Sequence, residues 1–141
     1  ETRQEQRQGL GVGDRVRFRG GVTGEQLPAL YGACDVFAMP AVRDGTDVEG
    51  FGMVFIEAGA CGKPVVAGRE GGQREAVADG ESGLVVDGND PEAVTQALDR
   101  LLADADLRKR LGDNGLERPK SLDWSAVVQR TSQLVDKLTV G

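Results

Sequence analysis

The sequence contains no histidine, which removes the commonest general base from its catalytic options. It has only two cysteines, Cys34 and Cys61, without CxxC spacing. Both sit in apolar surroundings, so two buried, reduced thiols fit better than a disulfide or a metal site, and they point to the cytoplasm. No apolar run approaches the ~18 residues of a membrane-spanning helix, and no signal peptide opens the chain. Positive charge is in deficit, with 17 Lys and Arg against 23 Asp and Glu for a net −6. The lack of a basic stripe argues against a non-specific nucleic-acid binder. There is no internal repeat and no low-complexity linker. An initiating Met is also absent, and the helix-like "ETRQEQRQ" at Glu1 reads as part of a longer protein.

What is present suits one domain, residues 1–141. A chain of this length buries about 68–70% of its unfolded surface. Its 39% hydrophobic and 28% charged content is ordinary for a globular protein. Glu1 to Gln8 reads as a helix end stopped by Gly9 and Gly11. "RVRFRG" (15–20) alternates charged and apolar residues, which predicts a strand. Thr23 with Gln26 predicts a capping box for a helix to about Ala33. "DVFAMP" (35–40), "KPVVAG" (63–68) and "GLVVDG" (83–88) predict three more strands, the second apolar enough to be buried on both faces.

Helices are expected from about Phe51 to Ala60, briefly within 68–80, and from Asp90-Pro91 to about Ala103. A further short one falls in "DADLRKRLGDNG". An amphipathic C-terminal helix at about 123–138 carries Trp124, Val127, Val128 and Leu134 at helical spacing. Strands alternating with helices imply an α/β fold with a parallel sheet. Ligands of such sheets bind outside the carboxyl ends of the strands, so the glycine-rich loops after "DVFAMP" and "PVVAG" are where a site belongs.

The stretch "DVEGFGMVFIEA" (47–58) lies at the first of these ends. Gly50 and Gly52 let backbone approach a ligand, and the following helix offers free N–H groups at its positive end, which suits a phosphate or diphosphate. Taken alone, a Gly-x-Gly before a helix is a plain turn more often than an anion site, and the GxGxxG dinucleotide pattern is absent. Glu49 precedes those amides and would repel a phosphate, so it fits an acceptor for hydroxyls. Glu57 lies nearly two turns into the helix, either on a solvated face or as an acceptor for a diol. "GREGG" (68–72) is a second glycine turn, a ligand cradle or a tight connection, with Arg69, Glu70, Arg74 and Glu75 solvated. Asp44, Asp47 and Arg43 fit a solvated loop better than a metal site.

The series "LPALYGACDVFAMP", "EGFGMVFIEAGACGKPVVAG", "GGQREAV" and "DGESGLVVDGNDPEAV" resembles the C-terminal donor domain of family-four retaining glycosyltransferases. The resemblance covers about residues 10 to 135, with four motifs in order. It implies a GT-B architecture, of which this chain would be a partial C-terminal domain: a Rossmann-like parallel sheet with flanking helices. Glu49 and Glu57 match the family's Glu, seven residues, Glu signature. The resemblance implies that Glu57 binds the ribose hydroxyls of a nucleoside diphosphate sugar, linked to GDP, UDP or ADP. It implies that Glu49, the candidate catalytic residue, contacts the transferred hexose near its C3 and C4. Gly50, Phe51, Gly52, Met53 and Val54 would hold the sugar and diphosphate through backbone, and Gly20 would lie near the base. The loop "AVRDGTDVEG" resembles the branch that includes phosphatidylinositol mannosyltransferases.

The chemistry implied is hexose transfer with retention to a sugar or lipid-linked acceptor, without cofactor or metal. On the usual proposal attack comes from the face the diphosphate leaves, and the enzyme works by positioning and by stabilising the leaving charge. The enzyme would be cytoplasmic, with peripheral placement at the inner membrane face as one option. The family's diphosphate-neutralising Arg and Lys and its acceptor domain would precede Glu1, so this chain alone is expected to be inactive. In the sheet order 3-2-1-4-5-6, "RVRF" and "DVFAM" would be separated by two strands absent here, leaving missing residues, another chain or a rearranged sheet to fill the gap. Two other functions carry the same motifs less well: a non-catalytic nucleotide-sugar-binding or assembly module, and a GT-B nucleotide-sugar epimerase.

Overall fold

A computed structural model describes residues 2–40 and 52–121. The expected loop 41–51, with Glu49, Gly50 and Phe51, and the C-terminal helix at 123–138 lie outside the described residues. Three strands, β1 (Phe37–Met39), β2 (Val65–Gly68) and β3 (Gly83–Val86), form one parallel sheet in the order β1-β2-β3. Phe37 pairs with Val65, and Val66 with Leu84. Among the described residues six helices accompany them: α1 (Arg3–Gly9), α2 (Leu27–Ala33), α3 (Met53–Ala60), α4 (Gln73–Ala76), α5 (Pro91–Ala103) and α6 (Ala105–Ser121). Among the described residues no helix is long and apolar enough to cross a membrane.

The central strand explains the layering. All four residues of β2 are buried, and successive side chains point to opposite faces. Val65 and Ala67 join Tyr31, Phe55, Ala58, Ala76 and Val77, so α2, α3 and α4 cover one face. Val66 joins Leu84, Ala97, Leu101, Leu107 and Leu111, so α5 and α6 cover the other. The expectation of a strand buried on both sides at "KPVVAG" is met.

Three local expectations are corrected. Residues 15–20 form no strand; Val16 and Phe18 remain 37% and 46% exposed. An isolated strand has nothing to complete its backbone hydrogen bonds, and here Arg7 does part of that work. Its guanidinium donates to the Val16 carbonyl at 2.7 Å and lies 5.5 Å from the Phe18 ring centroid. Helix α2 begins at Leu27 instead of Thr23, because Gln26 supplies its half of the capping box, accepting from Thr23 N–H at 3.3 Å, while Gln26 itself stands at the N-cap. The helix in "DADLRKRLGDNG" does not stop at its glycines but continues to Ser121.

Those glycines have a packing role. A Cβ on Gly112 would stand 2.2 Å from the Gly62 carbonyl oxygen, and one on Gly115 would stand 3.1 Å from the Gly59 Cα. With Leu107 and Leu111 they form the buried stripe of α6, which lies backbone to backbone against the end of α3. By contrast, α5 has the expected bounds, its Asp90 carboxylate accepting from the Glu92 N–H at 3.0 Å and Pro91 at the first turn.

Candidate functional site

Because the strands are parallel, their carboxyl ends share one edge, and α3 starts at that edge. Its N-cap is Gly52, at φ +75°, where an added Cβ would meet the Phe55 ring at 3.0 Å and Ala76 at 3.3 Å. Left-handed backbone and close contact both require glycine there. Among the described residues no side chain caps this helix start, and its first turn carries no acidic residue. The amides of Met53 and Val54 are among the first-turn donors that have no partner within the helix itself, at its positive end. Met53 is 57% exposed, while the Val54 side chain packs on the apolar cluster.

Glu57 follows one turn after Met53 and is half-buried. The Tyr31 hydroxyl donates to its Oε2 at 3.0 Å. Tyr31 is 5% exposed and is held edge-on by Phe37 at 5.3 Å, which in turn meets Phe55 at 5.8 Å. Burial first, then the hydrogen bond and charge of Glu57, push the Tyr31 phenol up to about 12. The phenol thus stays protonated and a donor, which fixes the carboxylate and leaves its second oxygen able to accept. Sequence reasoning missed Tyr31. Its only signal was a lone tyrosine in the helix of "LPALYGACD".

Gly20 lies in an exposed loop at φ +66°. Its neighbours Arg19, Gly21 and Val22, with Gln26, Ala29 and Leu30, line a cleft of about 460 Å³. Ala29 and Leu30 belong to α2, so one helix both borders this cleft and braces Glu57. Gly52, Met53, Val54 and Glu57 are brought together on α3.

The second glycine turn, "GREGG", closes on itself. Gln73 is fully buried; its Oε1 accepts from Gly68 N–H at 2.8 Å and its Nε2 donates to the Glu70 carbonyl at 3.1 Å. The side chain spans the loop from within, which favours a tight connection over a ligand cradle. Arg69 and Arg74 are exposed, as expected. Arg118 of α6 donates to the carbonyls of Ala76 and Glu75 at 3.2 and 2.6 Å, holding α4 against Gly52. The thiols of Cys34 and Cys61 are free but half-buried, less enclosed than expected. Burial raises the Cys34 thiol above its usual range.

Comparison with known proteins adds a family. The family model described as glycosyl transferases group 1 matches residues 1–118. A GDP-mannose-dependent alpha-(1-6)-phosphatidylinositol monomannoside mannosyltransferase of Mycolicibacterium smegmatis is 53% identical over 106 residues, 74% of this chain and 28% of that protein. Among solved structures, sucrose-phosphate synthase from Thermosynechococcus elongatus superposes with a TM-score of 0.78 at 37% identity, covering 96% of this chain and 33% of that one. Anabaena HepE in complex with UDP-glucose gives 0.75 at 29% identity, covering 97% and 35%. The chain thus spans about a third of the length of these proteins.

Proposed function

The chain belongs to the group 1 glycosyl transferases, and on that premise we propose that it holds the nucleoside diphosphate sugar of a retaining hexosyltransferase. Its Rossmann-like sheet with flanking helices is part of the C-terminal domain of a GT-B fold. The observation that carries the reading is Glu57, braced by a buried tyrosine one turn beyond a helix start at a left-handed glycine. A carboxylate fixed in this way can take the two hydroxyls of a ribose with little further loss of side-chain freedom. Amides at Met53 and Val54, approached across Gly52 and continued by Gly50 and Phe51, serve the diphosphate and sugar. Glu49 accepts from the hydroxyls of the transferred hexose. The cleft beside Gly20 takes the base.

In this reading the domain contributes position and electrostatics, not a nucleophile: donors aimed at the leaving diphosphate stabilise its developing charge. The 53% identity to a GDP-mannose-dependent relative favours GDP-mannose among GDP-, UDP- and ADP-linked donors. A sugar or lipid-linked acceptor completes the reaction in a protein that contains this domain, cytoplasmic and peripheral to the membrane when the acceptor is a lipid.

Calorimetry of such a protein with GDP, UDP and ADP tests the donor site. Glu57→Ala should weaken the preferred nucleotide about 10- to 100-fold, the loss expected for hydrogen bonds to a charged group; undiminished affinity would remove the ribose role. Glu49→Ala should weaken the nucleotide sugar more than the bare nucleoside diphosphate. Equal losses for the two ligands would sink the assignment to the hexose.

A further inference from the structure

Helices α2 and α3 both pack on the Tyr31 face of the sheet, and each leads into one of two adjacent parallel strands, β1 and β2. They therefore run side by side in the same direction, and both end in cysteine. Cys34 is the C-cap of α2 and Cys61 the C-cap of α3. One turn earlier the helices are tied by the bond from Tyr31 to Glu57. Tyr31 precedes Cys34 by three residues and Glu57 precedes Cys61 by four, so each thiol is on the helix face that makes this bond. The sheet fixes the other side. Phe37 is paired with Val65, and its N–H donates to the Pro64 carbonyl at 3.0 Å. Both cysteines lie three or four residues ahead of that rung.

Cys61 packs on the cluster that contains Tyr31. The Cys34 Sγ lies 3.2 Å from the Tyr31 carbonyl oxygen, so both thiols pack around the same tyrosine. Helices in side-chain contact have axes about 8–10 Å apart with Cα atoms about 2.3 Å off axis, so directly facing Cα atoms stand roughly 3.4–5.4 Å apart. A disulfide spans Cα separations of about 4.4–6.8 Å. In this structure both thiols are reduced.

We propose that Cys34 and Cys61 are a reversible dithiol that closes into a disulfide across the ends of α2 and α3 by exchange with a low-molecular-weight disulfide such as oxidised glutathione. One cysteine thiolate attacks a glutathione sulfur, breaks its S–S bond and releases one glutathione thiolate. The second cysteine thiolate then attacks the protein sulfur of the mixed disulfide and expels the second glutathione thiolate. The two protons lost by the cysteines are taken up by the two released thiolates. The dithiol is oxidised and glutathione disulfide is reduced. The Cys34 thiol now donates to the Tyr31 carbonyl at 3.2 Å; the bridge removes that donor at the end of α2, the helix whose Tyr31 braces Glu57.

The test needs no nucleotide, so its failure is separate from that of the donor-site reading. The chain is equilibrated with glutathione mixtures of increasing oxidised fraction in mildly alkaline buffer, then assayed by thiol titration, non-reducing electrophoresis and peptide mapping. The expected result is loss of both free thiols together, a Cys34–Cys61 cross-linked peptide in monomeric chain, and recovery with dithiothreitol. Cys34→Ser and Cys61→Ser should each leave the remaining cysteine as a glutathione adduct. Glutathione on both cysteines without a cross-link, dimers joined through either residue, or two free thiols at the most oxidising ratio would each overturn the proposal.

Discussion

Tyr31 is the only tyrosine in the sequence, so its ionisation can be followed by ultraviolet absorbance without interference from another phenol. Folded chain should give a midpoint near about 12 against 10.0 for a free phenol, from burial first and Glu57 second. Glu57→Gln keeps an acceptor but removes the charge, so the midpoint should fall while staying above 10, because burial persists. An unchanged midpoint would assign the whole shift to burial. The sign for stability follows from proton counting. Between about pH 10 and 12 the unfolded chain has released the phenolic proton and the folded chain has kept it, so stability is complete below this window and falls as pH rises through it. Denaturant midpoints at about pH 9 and about pH 11 should drop further in the parent than in Tyr31→Phe. At this scale Gly52 and Glu57 were legible because a glycine before a helix and a carboxylate in an apolar run are exceptions to local rules. Tyr31 and Gln73 were not, because each is defined by a partner distant in space or by a loop that it spans from within.

The elements whose ends are set by their own side chains were legible in the sequence. Helix α5 starts where Asp90 caps it and Pro91 opens it, and the strand at "PVVAG" follows from an unbroken apolar run. Helix α6 was cut short because Gly112 and Gly115 look like stop signals, yet a close approach of two helices demands the same residue. The distinction is testable. Gly→Ala in an exposed helix stabilises by up to about 1 kcal/mol, whereas a Cβ on Gly112 would overlap the Gly62 carbonyl oxygen, which stands 2.2 Å away. Gly112→Ala should therefore destabilise by about 1–3 kcal/mol, the range for overpacking, read as a lowered denaturation midpoint. A neutral or stabilising result would mean that α3 and α6 can separate freely.

For the whole molecule, the alternation of strands and helices sufficed for a parallel α/β sheet, but not for which alternating stretch would join it. "RVRFRG" has the pattern of a strand, but pairing is a property of two segments, and among the described residues the sheet consists of β1, β2 and β3. Hydrogen exchange should reflect this hierarchy. Amides of Val65, Val66 and Ala67, buried between two neighbours, should be the slowest, and those of residues 15–22 among the fastest. Comparable protection in both would restore a strand at 15–20 in solution. The meeting of α3 with α6 has a further consequence. Side chains can change rotamer to absorb a neighbour's substitution, but Gly59 meets Gly115, and Gly62 meets Gly112, through main-chain atoms, whose spacing covalent geometry sets. The shaft that carries Glu57 is thus mounted with the tolerance of a machined bearing. Surface loops and flanking side chains can be exchanged between related chains, whereas a graft that replaces α6 alone would shift the seat of the carboxylate.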